Sequence, residues 1–278
     1  MRFSVCHQSL YRYSLPIRLG THVVRLSPRL DNAAAIQRSL IVDPPPSFRD
    51  DSLDRFGNPV TTLDFSGYTS HLRIESRFEI ETFVPVSPAG FAFPPLPWPA
   101  PAEPWLTDYL AGDPVAPSVQ DFAAGLAQDV GWAAVPFLEH LNRTLFTRTD
   151  RHIRVDGAAQ DPAHTLASAR GACRDLTVLF MAACRWMGIP ARFVSGYQAQ
   201  AESVDGRRHL HAWPDVFLPG FGWTGFDPTH GLPVTDGHVP LCAAPGQAET
   251  MPIEGGFWFD GTEITSTLDY TVEIDTRT

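Results

Sequence analysis

Of the four cysteines in this chain, Cys173 stands where a thiol can become a nucleophile. Leu176, Phe180, Cys184 and Met187 follow it at helical spacing, and Gly188 with Pro190 supplies a stop signal. A helix is therefore expected to start close to Cys173. There the unpaired backbone N–H groups and the positive end of the helix dipole favour an anion and draw a thiol toward its thiolate. The same N–H groups can receive an oxyanion, and Gly171, two residues earlier, would leave room for a substrate carbonyl to approach the backbone.

A nucleophilic thiol needs a base. The stretch from His211 to Gly231 reads as two strands joined by the turn Pro219-Gly220-Phe221-Gly222. His211, Trp213 and Asp215 share a face by parity, with Pro214 marking a bulge or an edge. The return strand Trp223–Asp227 brings Asp227 back toward His211, directly opposite or diagonal, where a carboxylate can accept the protonated ring nitrogen and fix the tautomer. Cys173, His211 and Asp227 then make a set of nucleophile, base and orienter.

The other chemically capable residues receive lesser roles. Cys6, Cys184 and Cys242 are expected to be small buried hydrophobes. Asp175, one turn into the helix, is a supporting carboxylate that hydrogen-bonds or offsets the dipole, and Gly171 supports the approach to Cys173. Trp213 and Trp223 are candidates for the wall of a substrate pocket, and His238 for a pocket residue, whereas His230 is expected to be solvated. His209 and His211 alternate on one strand and would need a third ligand to hold a metal; no metal site is expected.

These residues need elements to hold them. The first eighty or so residues read as successive strands, the clearest being His71–Val84, where Leu72, Ile74, Phe78 and Ile80 alternate with charged neighbours. Shorter stretches at Arg2–Tyr13, Thr21–Leu26, Ser39–Val42 and Val60–Phe65 are separated by turn chemistry. Residues 1–84 are thus expected to form an antiparallel β-sandwich-like domain. Residues 85–117 hold ten of the 26 prolines, interleaved with Phe91, Phe93, Trp98 and Trp105, and read as a linker that packs along a surface. Residues 118–278 start with helical spacing at Val119, Phe122, Leu126 and again at Phe137, Leu138, Leu141, and end with strand alternation at Leu268, Tyr270, Val272 and Ile274. The fold class is α+β.

Composition bounds the function. The formal charge is −10, and every basic residue is arginine, which disfavours nucleic-acid binding. No apolar run is long enough for a membrane span, the first ten residues lack the apolar stretch of an export signal, and the cysteines form no CxxC pair, so a reducing, cytoplasmic setting is expected.

With these residues in place, the chain resembles a bacterial member of the transglutaminase-like superfamily, the papain-related group often described as cysteine proteases. Gly171-Ala172-Cys173, His211-Ala212-Trp213 and Asp227-Pro228-Thr229 match the family pattern in order, as do the residues from Gly188 to Tyr197 and from Gly237 to Leu241. The N-terminal strands resemble the β domain that often precedes this core in bacterial relatives. Pro214-Asp215 and Leu176-Thr177 depart from the family's usual residues at those places. The resemblance implies a papain-like core with the cysteine at a helix N-terminus packed against an antiparallel sheet, acting on a peptide or protein amide without a cofactor through a thioester acyl-enzyme. Hydrolysis is favoured over amine transfer, since water is always at hand while an amine needs its own site. Two alternatives stand beside it: a catalytically silent peptide- or protein-binding module, and an acyltransferase using a thioester donor.

Overall fold

The computed structural model describes residues 1–154, 157–199, 208–261 and 263–277. It opens with antiparallel strands β1 (Arg2–Val24), β2 (Ala33–Asp43), β3 (Phe48–Leu53), β4 (Pro59–Asp64) and β5 (Thr69–Thr82). The two segments Arg2–Tyr13 and Thr21–Leu26 expected from the sequence are parts of one long strand, β1, which changes partners along its length. Its first half pairs with β5 and its second half with β4, with an irregularity between Arg12 and Ile17. Strand β3 has no sequence signal, since all of its residues are exposed and no apolar alternation marks it.

The second half of the chain contributes helices α1 (Pro117–Asp129) and α2 (Ala134–Arg148), the short strand β6 (Asp150–Arg151), helix α3 (Pro162–Ser168), strand β7 (Arg170–Gly171) parallel to β6, and helix α4 (Cys173–Trp186). Five antiparallel strands follow: β8 (Ala191–Gln198), β9 (His211–Leu218), β10 (Gly222–Asp227), β11 (Leu232–Pro233) and β12 (His238–Ala244), in the order β11-β10-β9-β8-β12. The chain ends with β13 (Ile253–Trp258) and β14 (Ser266–Arg277), both hydrogen-bonded to β1. Periodicity identified 268–274 as a strand, but it carries no information about a partner. These last strands, assigned by the sequence to the second unit, lie in the sheet of the first.

Helix α4 is central and accordingly apolar around most of its circumference. Leu176, Leu179, Phe180 and Ala183 are buried against α1, α2 and the inner residues Val216, Leu218 and Phe226, with Phe180 stacked on Phe226 at 5.6 Å between ring centroids. Each of the leucine and phenylalanine side chains, fully buried, stabilises by about 1.5–3 kcal/mol. A second core joins the two sheets, with Tyr197 of β8 and Val239 and Leu241 of β12 packed among Phe3, Val5, Phe78 and Ile80. Phe193, Ser195 and Tyr197 share one face of β8. Phe193 packs with the helices, Tyr197 packs with the seven-stranded sheet, and Ser195 lies between them on a cavity.

The proline-rich segment is strapped to the outside of this second unit. Leu96 and Trp98 donate backbone hydrogen bonds to Trp132 and Met187, Phe91 meets Phe221, and Trp105 packs on Phe217 and Trp223. None of its residues lines the cavity.

Candidate active site

The cavity between the helical layer and the seven-stranded sheet has a volume of about 1020 Å³. Cys173 and His211 both line it; His7, Ser9 and Tyr11 of β1 with Tyr270 of β14 form the opposite wall. The N-terminal sheet is therefore part of the cleft.

Cys173 is the first residue of α4 and is half-buried. Its position is fixed by Asp175, whose side chain is fully buried. Asp175 Oδ2 accepts the backbone N–H of Ala172 at 2.7 Å, and Oδ1 accepts Gln160 N–H at 2.7 Å and the Arg154 guanidinium at 2.6 Å. A carboxylate three residues into a helix, bonded back to the preceding N–H, closes the helix start. A Cβ on Gly171 would lie 3.0 Å from Asp175 Cβ and 3.2 Å from Thr165 Cγ2, and Gly171 does not line the cavity. Its smallness serves the packing of Asp175 and not, as expected from sequence, a substrate carbonyl.

Cys6, expected to be buried, is only half-buried on β1, and partial burial raises its thiol, whereas Cys184 and Cys242 are buried as expected. Burial pushes Cys184 well above the ordinary thiol value and Cys242 up to about 12.

His211 begins β9 and reaches the cavity from the end of the strand. The β9–β10 register pairs Asp215 with Gly225, so extending it by two residues sets Asp227 opposite Trp213 and diagonal to His211. Pairing with β10 ends at Asp215, so Pro214 next to it needs no N–H on that side; it lies opposite Phe193 of β8. His211 Nε2 is 2.9 Å from Asp227 Oδ2, and neither side chain has any solvent exposure. Nε2 is thus the ring nitrogen engaged by the carboxylate.

Asp227 has further partners. His230 Nδ1 and His238 Nε2 lie 2.9 and 3.0 Å from the same Oδ2, while Oδ1 accepts the backbone N–H groups of Thr229 and His230 at 3.0 and 3.3 Å. Burial alone would raise the Asp227 pKa, but the three imidazoles outweigh it and hold the carboxyl well below its usual range. His230, expected to be merely solvated, and His238, expected in a pocket, are both placed on Asp227. The signal for His230 is the Asp-Pro-Thr-His-Gly turn, in which an Asp oxygen accepts N–H groups two and three residues on. One ligand atom each from His211, Asp227 and His230 lies within 4.8 Å of the others, but both ring nitrogens stand at hydrogen-bond distance from the carboxylate, which is the geometry of a proton-sharing network.

The tryptophans fall elsewhere. Trp213 is buried with Val194 and Ala243, its ring 5.9 Å from that of His211 and 5.2 Å from that of His238, so it backs the network without lining the cavity. Trp223 lies on the outer hairpin beneath Arg192 and beside Tyr109, away from the cavity, because its strand position faces the proline-rich strap. His209 donates to or accepts from the Tyr270 hydroxyl at 3.2 Å.

Residues 129–228 match the model of the transglutaminase-like superfamily, and residues 3–81 match that of the bacterial transglutaminase-like N-terminal region. An uncharacterized protein of Mycobacterium tuberculosis is 26% identical, covering 98% of this chain and 92% of its own length; one of Mycobacterium leprae is 24% identical, covering 98% of each. A crystal structure described as a “putative cysteine protease” from Cytophaga hutchinsonii superposes with a TM-score of 0.72 at 17% identity, covering 100% of this chain and 92% of that one. That likeness shows a shared fold. No helix among the described residues is long and apolar enough to cross a membrane.

Proposed function

Taking the chain as a transglutaminase-like superfamily protein with a bacterial transglutaminase-like N-terminal region, we propose that it is a cysteine-dependent acyl-transfer enzyme that cleaves peptide or carboxamide bonds. The observation that carries the reading is the 2.9 Å pairing of His211 Nε2 with a buried, ionised Asp227, on a cavity that His211 shares with a thiol at a helix start.

With Nε2–H donated to Asp227, His211 offers Nδ1 to the thiol. Cys173 Sγ attacks the carbonyl carbon as its proton passes to Nδ1, and the new oxyanion falls near the N–H groups at the start of α4. The C–N bond then breaks, and the imidazolium returns its proton to the departing amine, leaving a thioester on Cys173. Water attacks the thioester carbonyl as its proton passes to His211, the C–S bond breaks, and the imidazolium returns the proton to the departing sulfur, releasing the carboxylic acid and restoring the thiol. Asp227 stays ionised and steadies the imidazolium in both halves. Hydrolysis is the favoured outcome, since water is always at hand while an amine needs its own site. The substrate is a peptide or protein amide, and the unpaired state of all four thiols supports a reducing, cytoplasmic setting.

The test is acyl-enzyme formation with p-nitrophenyl acetate, read by intact mass and peptide mapping. A single acetyl group on the Cys173 peptide, absent in Cys173→Ala and retained in Cys184→Ala, is expected. Equal loss in both variants, or acetylation elsewhere only, would overturn the assignment.

A further inference from the structure

A nucleophile–base–orienter set needs one imidazole on its carboxylate, and here three converge on a single oxygen. His211 Nε2, His230 Nδ1 and His238 Nε2 lie 2.9, 2.9 and 3.0 Å from Asp227 Oδ2. The second nitrogen of each extra histidine decides what state it is in. His238 Nδ1 lies 3.3 Å from the backbone N of Thr235. A backbone amide can only donate, so Nδ1 holds a lone pair and the single ring proton is on Nε2, pointing at Asp227. Protonating His238 would set one N–H against another. His230 Nε2 is 3.3 Å from Gln198 Nε2, which donates to it, so the His230 proton sits on Nδ1, again toward Asp227. Both rings are therefore held neutral by donors at their far side. His211 lines the cavity that Cys173 also lines, and in the reading above it is the ring that exchanges a proton with the thiol.

We propose that His230 and His238 are positioning residues, two neutral imidazoles that share Asp227 Oδ2 with His211, so that His211 alone of the three takes up a proton and feels only part of the carboxylate's charge. The inference rests on the reading of Cys173, His211 and Asp227 as the reacting set. Its consequence is an imidazolium stabilised less than a lone Asp–His pair would allow, so His211 gives up its proton to a leaving amine more readily. The side chains of His211 and Asp227 are wholly shielded from water and that of His238 is 8% exposed, so water competes little for the carboxylate. Among the described residues, His7, Arg151, His152, Arg154 and Arg174 line the same cavity as His211 and His230. Cys173, at the start of α4, lines the same cavity as His211 and His230, and Asp236, two residues before His238, lies 3.3 Å from the N-terminal ammonium. His209, on the approach to β9, is engaged with Tyr270.

The experiment is nitrogen-detected NMR of the full chain labelled at histidine, which reads each ring's tautomer and titration directly. In the wild type, His238 is expected as the Nε2–H tautomer and His230 as the Nδ1–H tautomer, both unchanged from about pH 5 to 9 while His211 titrates. In His238→Leu, which removes the donor but keeps the bulk, the His211 midpoint is expected to rise by roughly 0.5–1 pH unit. His238→Gln, whose amide N–H reaches the same place, should bring it most of the way back. His230→Leu and His230→Asn form a second pair with the same logic if His238→Leu does not fold. Titration of His230 or His238 as a cation within that range would overturn the proposal. So would a His211 midpoint unmoved by the leucine variants when near-ultraviolet circular dichroism shows native packing. Should Cys173 prove unreactive while the tautomers and shifts are as stated, the catalytic reading fails and the network stands.

Discussion

Replacing Asp175 with Asn tests the claim that the cysteine is aimed by a buried carboxylate from its own helix. Asp175 has no exposure and acts only as an acceptor: Oδ2 takes Ala172 N–H, and Oδ1 takes Gln160 N–H and the Arg154 guanidinium. An amide of the same shape presents one NH2, and either orientation sets that NH2 against at least one of these donors. The change costs one charge-assisted hydrogen bond and leaves a buried donor unsatisfied, about 3 kcal/mol together. For a chain of this size that corresponds to a fall in Tm of roughly 6–12 °C. Urea and thermal unfolding followed by tryptophan fluorescence give the loss, and Cys173 alkylation well below the new Tm reports whether the helix start has moved. A stability within about 0.5 kcal/mol of wild type would refute the reasoning, because such a difference is that of an ordinary surface change.

Three further outcomes follow from particular residues. His7 is buried against Tyr197 and its pKa is lowered by desolvation from 6.5 to about 4. The unfolded chain then binds the proton first as pH falls, so this contribution, about 3 kcal/mol in all, is present above pH 6.5 and lost between there and pH 4; urea titrations across that range should flatten in His7→Gln. A Cβ at Gly196 would lie 2.2 Å from Val239 O and 2.6 Å from the Trp213 ring, so Gly196→Ala should lower stability by about 2–3 kcal/mol, measured by urea unfolding, by forcing β8 and β12 apart. Cys184 is fully buried with its thiol pKa raised, and iodoacetamide footprinting under native conditions should leave it unmodified while Cys173 reacts.

Much of the architecture near the site was legible because local patterns dictate it. The stripe from Leu176 to Met187 defines α4, and the parity of His211 and Asp227 across a glycine-rich turn sets them on one face, leaving only the choice between opposite and diagonal. What was not legible depends on pairing between distant segments. His238 reaches Asp227 because β12 adds to β8, with His238 opposite Gln198, and no local pattern encodes that register. Likewise β14 returns to β1, and Tyr270 and His7 thereby wall the cavity. Trp223 could not be placed from sequence, because an aromatic on the His211 hairpin looks the same whether it faces a substrate or a proline-rich strap.

The measurement that tests the central claim most directly is the pH dependence of Cys173 alkylation by iodoacetamide, in wild type and in His211→Ala, read by intact mass with peptide mapping. A thiolate–imidazolium pair predicts rapid reaction persisting well below the free-thiol pKa of about 8.5, and a marked slowing near neutral pH when the imidazole is removed. An ordinary thiol profile in the wild type, unchanged by His211→Ala, would contradict the account.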